Sequence, residues 1–515
     1  MSSSRDVRRT TLQPGGCAIS SARGSMVPNR GKSNCRFARR PLAASMLLLL
    51  NTQAWGATIT VNNSAGGSVA GACTLRDAIT SVNNQSSASG STCAAGNGSN
   101  DTVVFGSGIV DIVFSVPASG KSSALAASAS VTIDGGSLSA SGAPTVTIER
   151  STVSAVPNFR LIESNSDLTL KNLTIAGGSA ATGENGGGIE MTAASTLSIS
   201  GSVVTNNHST GEIGGAIYGR TISVVNSTVS GNGLNSGDGC AGGAIAAAGT
   251  LTITGSQVVG NSGVCGAIHG GAIYANTVNL SDSVVSDNIG QSTGGGTIGL
   301  GGGVYGLTVN LTNSTISRNQ LTVIGTNGFG AGVLLHSGTL TNSTISGNSS
   351  NGKGSGIYSL GIVNLYFCTI TKNRTTLSGA AAGLSIGSGV AINTTASILF
   401  GNVGGSDVDG GYFPATLNGD RNLIGVHGSK VTVTSTALSC DPLLGSLGNN
   451  GGSSPTHGLL AGSCAIDAGP PSPSVVTDQR GVGFARKVGV ASDIGAFEKQ
   501  NADDPDLIFA NGFEL

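Results

Sequence analysis

The chemistry this chain could perform is best placed at three side chains, Asp282, Asp287 and Arg318. Carboxylates on neighbouring levels of a repeat can hold Ca²⁺ against an acidic sugar, and an arginine beside them can take a proton from it. Asp287 and Arg318 each precede an asparagine of the repeat described below, so they should stack, with Asp282 on the same level as Asp287. The plainer expectation is a cross-strand ion pair contributing roughly 0.2–1 kcal/mol. The equivalent positions on either side are Gly260 and Gly347, and no third carboxylate joins them.

Hydrolysis of a glycosidic bond would instead need two opposed carboxyl groups about 5–9.5 Å apart. Glu190, Glu212 and Asp238 fall at unlike repeat positions and do not converge by register. His208, His269 and His336 are likewise scattered and read as surface or turn histidines. Asp407-Val-Asp-Gly410 and Asp503-Asp-Pro-Asp506 begin like calcium loops, lack the later acidic ligands, and read as solvated turns. No cofactor is expected, and calcium enters only with the lyase chemistry of Asp282, Asp287 and Arg318. A more specific feature is aromatic: Tyr218, Tyr274, Tyr305 and Tyr358 each follow the inward aliphatic residue of a Gly-rich strand, so alternation points them outward. Such a row can stack on sugar faces. It can also be a ladder of good strand formers.

These residues are positioned by a repeat. An Ile/Val/Leu-x-x-Asn unit ends at Asn207, Asn232, Asn261, Asn288, Asn319, Asn348, Asn373 and Asn402, at intervals of 25, 29, 27, 31, 29, 25 and 29 residues. The mean of about 28 suits one coil of a solenoid. Gly214-Gly215-Ala216-Ile217, Gly242-Gly243-Ala244-Ile245 and Gly270-Gly271-Ala272-Ile273 keep phase with it, and Gly301–Val304 and Gly330–Val333 continue the series. Between these lie apolar pairs two apart, Leu197/Ile199, Ile222/Val224, Leu251/Ile253, Val278/Leu280 and Val309/Leu311. The expected fold is all-β: a right-handed parallel β-helix with three short strands per coil and like residues stacked about 4.8 Å apart. Val229, Val258, Val285, Ile316, Ile345 and Ile370 should form an interior column. The repeat asparagines should sit at a left-handed turn with their amides bonded between levels. The glycosylation-like triplets at Asn226, Asn313 and Asn342 fall on the repeat and read as part of it.

A chain with 84 glycines among 515 residues and 10% charged residues is no ordinary globule. Residues 1–57 hold nine of the 25 basic groups and one of the 26 acidic groups, so the remainder has a net charge of −9. That disfavours nucleic acid as a partner. Arg36, Arg39 and Arg40, followed by the apolar run Pro41–Leu50 and small residues to Ala57, read as an export signal, with Met26 a possible start. No other stretch is long and apolar enough for a transmembrane segment. Cys17 and Cys35 go with the signal. Cys73 with Cys93, Cys240 with Cys265, and Cys440 with Cys464 are expected to pair in an oxidising compartment, leaving Cys368 a lone thiol. The boundaries are a signal region at 1–57, a cap with first coils at 58–165, repeats at 166–430, a C-terminal module at 431–498 and a tail at 499–515.

Leu75, Ala78, Ile79 and Val82 give the segment Cys73–Asn84 one apolar helical face, suited to capping the open end of the stack. Cys73-Thr-Leu-Arg-Asp-Ala-Ile79, Asp101–Phe105 and Val131–Gly135 resemble the exported-protein domain named for a Cys-Ser-Leu-Arg-Glu-Ala motif. The repeats are similar to those of bacterial surface β-helix proteins, among them the polymorphic outer-membrane proteins, with an aliphatic residue in place of their Phe. Asp441–Gly445, Asn450–Gly452, Thr456-His457, Ala465–Gly469, Thr477–Gly481 and Asp493–Glu498 resemble the choice-of-anchor Q domain. These resemblances imply an exported surface or extracellular protein and carry no established activity. The fold resemblance extends to pectate lyases, which keeps polysaccharide lyase or hydrolase as the alternative and a structural stalk as a second. The leading expectation is a non-enzymatic, adhesive protein that binds glycan or matrix.

Overall fold

The structure, a computed structural model, describes residues 55–501 apart from 154, 296, 297, 388, 412 and 435. The export signal, Met26, Cys17, Cys35, Asp503–Asp506 and the C-terminal tail lie outside these residues, save for 55–57 and 499–501.

Stacked coils make three sheets of 20, 13 and 10 strands, here the long, second and third sheets. Their strands pair in parallel, coil on coil, as when Val229 meets Val258 and Val258 meets Val285. One coil runs Ile217–Val225 in the long sheet, Thr228–Ser230 in the second and Gly233–Ala241 in the third. Three strands per coil is the expected number, but their assignment differs. In this coil the Gly-rich and alternating runs fuse into one strand, with a bulge between Gly219 and Thr221 that bends the chain without ending its pairing, whereas Ile357–Ser359 and Val363–Tyr366 stay separate. The third strand lies after the asparagine instead.

Val229, Val258, Val285, Ile316, Ile345 and Ile370 are each 0% exposed and form the predicted interior column. Each contributes roughly 1.5–3 kcal/mol on burial. The asparagines also bond between levels as expected: Asn232 Nδ2 donates to Asn261 Oδ1 at 2.9 Å and Asn288 Nδ2 to Asn319 Oδ1 at 2.8 Å. Their backbone does not match the expectation. The left-handed residue is the one before the asparagine, as in Asn206, Gly231, Asp287 and Arg318, with φ of 54°, 64°, 58° and 54°. The preceding residue turns the chain, which leaves each asparagine free to aim its amide along the axis. Asp407, expected in a solvated turn, is buried and ends this ladder by accepting from Asn402 Nδ2 at 2.7 Å.

The helix covers Leu75–Asn84, with Thr74 as its N-cap and Leu75, Ala78, Ile79 and Val82 buried. All three expected disulfides are present, and Cys368 is a buried free thiol pushed up to about 12 by desolvation. Solenoid pairing continues through Val431–Val433 and Ala437–Leu438. The chain then folds back across the second sheet. Gln479 accepts from Thr344 Oγ1 at 2.6 Å and donates to Thr315 Oγ1 at 2.7 Å, while Ala496 N donates to Thr369 Oγ1 at 3.0 Å. Leu459, Ala465, Ile494 and Phe497 pack with Ile398 and Leu423 beneath. No helix among the described residues is long and apolar enough to cross a membrane.

Candidate ligand-binding face

The C-terminal module covers the second sheet from Thr315 onward, whereas Tyr274, Tyr305 and His336 of the long sheet stay partly or fully exposed. Register places one outward column in the order Glu163, Glu190, Tyr218, Ala246, Tyr274, Tyr305, Leu334, Tyr358. The tyrosines are therefore not one continuous row: Ala246 and Leu334 interrupt it.

Tyr274 and Tyr305 have ring centroids 5.3 Å apart and planes 1° from parallel. Parallel rings this close are offset-stacked, so their faces look along the solenoid axis. His269 lies 5.6 Å from Tyr305 in a stacked arrangement, and His336 meets Tyr305 edge-on at 6.4 Å. Burial holds the His269 imidazole below its ordinary pKa, so it is neutral at neutral pH. Burial and the neighbouring Tyr274 raise the Tyr305 phenol. His336 thus flanks the far side of the stack, and on the near side Ala246 is 0% exposed. Tyr218 faces Tyr274 from two levels away, about 9.6 Å along the axis at the usual strand spacing.

Tyr358 does not belong to this face. Contrary to its predicted outward position it is 3% exposed, with Phe329 packed at 4.7 Å. Phe329 comes from the third sheet, whose place beside the column is invisible to strand alternation.

The carboxylate candidates sort differently. Arg318 donates from Nε and Nη2 to the two carboxylate oxygens of Asp287, each at 2.7 Å. The Arg318 hydrogen bond chiefly holds the Asp287 carboxyl below its ordinary value, and Asp287 in turn raises the guanidinium. Asp282 stands at the other end of the strand Val284–Ser286 and accepts from Asn313 Nδ2 at 3.2 Å. Five residues of extended chain separate the two aspartates by about 16 Å, too far for one cation. Glu212 and Asp238 are exposed and stand apart from Glu190.

Glu190 does meet two carboxylates that its spacing gave no reason to expect. Arg160 Nη2 lies 2.8 Å from Glu190 and 3.5 Å from Glu184, and its Nη1 lies 3.6 Å from Glu163. Burial is the main cause of a raised Glu190 pKa. All three carboxylates converge on one buried guanidinium instead of opposing each other across an open gap. Glu163 was discoverable from the column, since it stacks on Glu190; Glu184 is in a loop and was not. Among the described residues no three His, Cys, Asp or Glu side chains are placed to hold a metal ion.

No family model matches this chain, and no curated protein matches it. Among solved structures it is similar to a crystal structure of pectate lyase Pel9A, with a TM-score of 0.42 and 14% identity, covering 86% of this chain and 97% of that one.

Proposed function

We propose that this chain acts outside the cell, released or held at the surface, as a non-enzymatic β-helix that binds glycan or matrix along its long sheet. The observation that carries the reading is the partly exposed Tyr274–Tyr305 stack beside the exposed His336. A sugar ring stacks on an aromatic face at van der Waals distance. Neutral His269 adds a further ring without an ionic charge. Three disulfides suit an oxidising compartment.

The separation of Asp282 from Asp287, and the single arginine shared by Glu163, Glu184 and Glu190, favour ion pairing over bond cleavage at both carboxylate groups. The test is to screen the purified protein on a glycan array and, in parallel, to assay product release from acidic polysaccharides with and without chelator. Retention without product release is expected. Product formation abolished by Asp287→Ala would overturn the non-enzymatic reading.

A further inference from the structure

A cavity of about 510 Å³ opens between the helix Leu75–Asn84 and the first coils, away from the tyrosine stack. Its floor is apolar, from Ile79, Ala124 and Leu125, and its rim carries hydroxyl and amide groups such as Thr80 and Asn165. The Asn83 amide donates to Ala126 O at 2.8 Å and accepts from Ser128 N at 2.7 Å, which fixes helix and strand as walls.

Two cations face this space. Arg76 donates from Nη2 to Val116 O at 2.9 Å and lies over Phe114, but its Nε is buried with no hydrogen-bond partner among the described residues. Lys121 is half exposed, with Nζ 3.1 Å from Glu163. Glu163 is the one carboxylate on the wall; it lies nearer Lys121, at 3.1 Å, than Arg160, at 3.6 Å, so a bound carboxylate shares Lys121 with it. Asp77, next to Arg76, is taken up by Ser68 Oγ at 2.6 Å and Thr74 Oγ1 at 2.7 Å. A cationic pocket on a chain that is acidic beyond residue 57 selects for negative charge.

We propose that this cavity binds an acidic monosaccharide or an acidic chain end, its carboxylate between Arg76 and Lys121 and its ring over Ile79 and Leu125. The volume lies within the usual range for small-ligand sites. The site is independent of the Tyr274–Tyr305 reading, and either can fail alone.

The test is calorimetric titration of the full chain with glucuronate, glucose and acetate. Glucuronate is expected to bind more tightly than either of the others, and added salt to weaken it. Lys121→Gln and Arg76→Gln should each lower glucuronate affinity at least about tenfold, and Tyr274→Ala should leave it unchanged. Lys121 is exposed enough that its replacement leaves the fold intact, which keeps the test open if Arg76→Gln fails to fold. Equal uptake of glucose and glucuronate, no uptake of glucuronate, or full affinity in Lys121→Gln would overturn the proposal.

Discussion

His457 of the C-terminal module holds Nε2 2.8 Å from Oγ of Ser346, 111 residues earlier in the chain, and its Nδ1 2.8 Å from Gly445 O. The carbonyl can only accept, so Nδ1 carries the proton and Nε2 accepts from the serine. Burial pushes this imidazole down to about 4. The unfolded chain takes up a proton near the ordinary value of about 6.5, and the folded one does so only near 4. Stability is therefore complete above about pH 6.5 and falls as pH drops toward about 4, by about 3 kcal/mol in all. Thermal unfolding followed from pH 7 to pH 4 checks this. His457→Gln should be less stable at pH 7 and flatter across that window, whereas an equally steep profile would contradict the assignment.

The asparagine ladder makes a second prediction. Asn288 donates to Asn319 Oδ1 and Val258 O, and accepts from the side chain and backbone N of Asn261. Asn288→Ala leaves several of these groups buried and unpaired, at a cost of about 2–5 kcal/mol. Exposed Asn276→Ala should stay within about 0.5 kcal/mol of the parent. Denaturant unfolding separates the two, and an equal, small effect at both positions would sink the idea that the ladder stabilises the corner.

Asp287 and Arg318 lead to a smaller expectation. Their pair is well formed but exposed, so Asp287→Asn, which tolerates the φ of 58° there, should cost less than about 1 kcal/mol. Arg318 also has a φ of 54°, which glycine adopts without strain. Arg318→Gly should therefore lie within about 1 kcal/mol of the parent, the relief offsetting the lost pair. A loss of several kcal/mol in either variant by denaturant titration would mean that this pair does more than brace two turns.

Whatever repeats along one axis could be read from the chain. The Val229 to Ile370 column, the Asn232 to Asn402 amides and the Cys240–Cys265 pair all follow from stacking equivalent positions one coil apart. Contacts made outside that periodicity were hidden. His457 reaching Ser346, Phe329 covering Tyr358 and Glu184 joining Glu190 on Arg160 each depend on how a loop or a second sheet is laid beside the column. The candidate site was half legible for the same reason: alternation pointed Tyr274 and Tyr305 outward, while the burial of Ala246, Leu334 and Tyr358 in the same column depends on what is laid beside it.

The tyrosine pair offers the most direct measurement of the binding account. Tyr274→Ala removes one ring of the partly exposed pair and Tyr305→Ala the other. Retention on the glycan that binds the parent protein most strongly is predicted to fall at least about tenfold in both variants, each still unfolding cooperatively on heating. Undiminished retention in both would contradict the account.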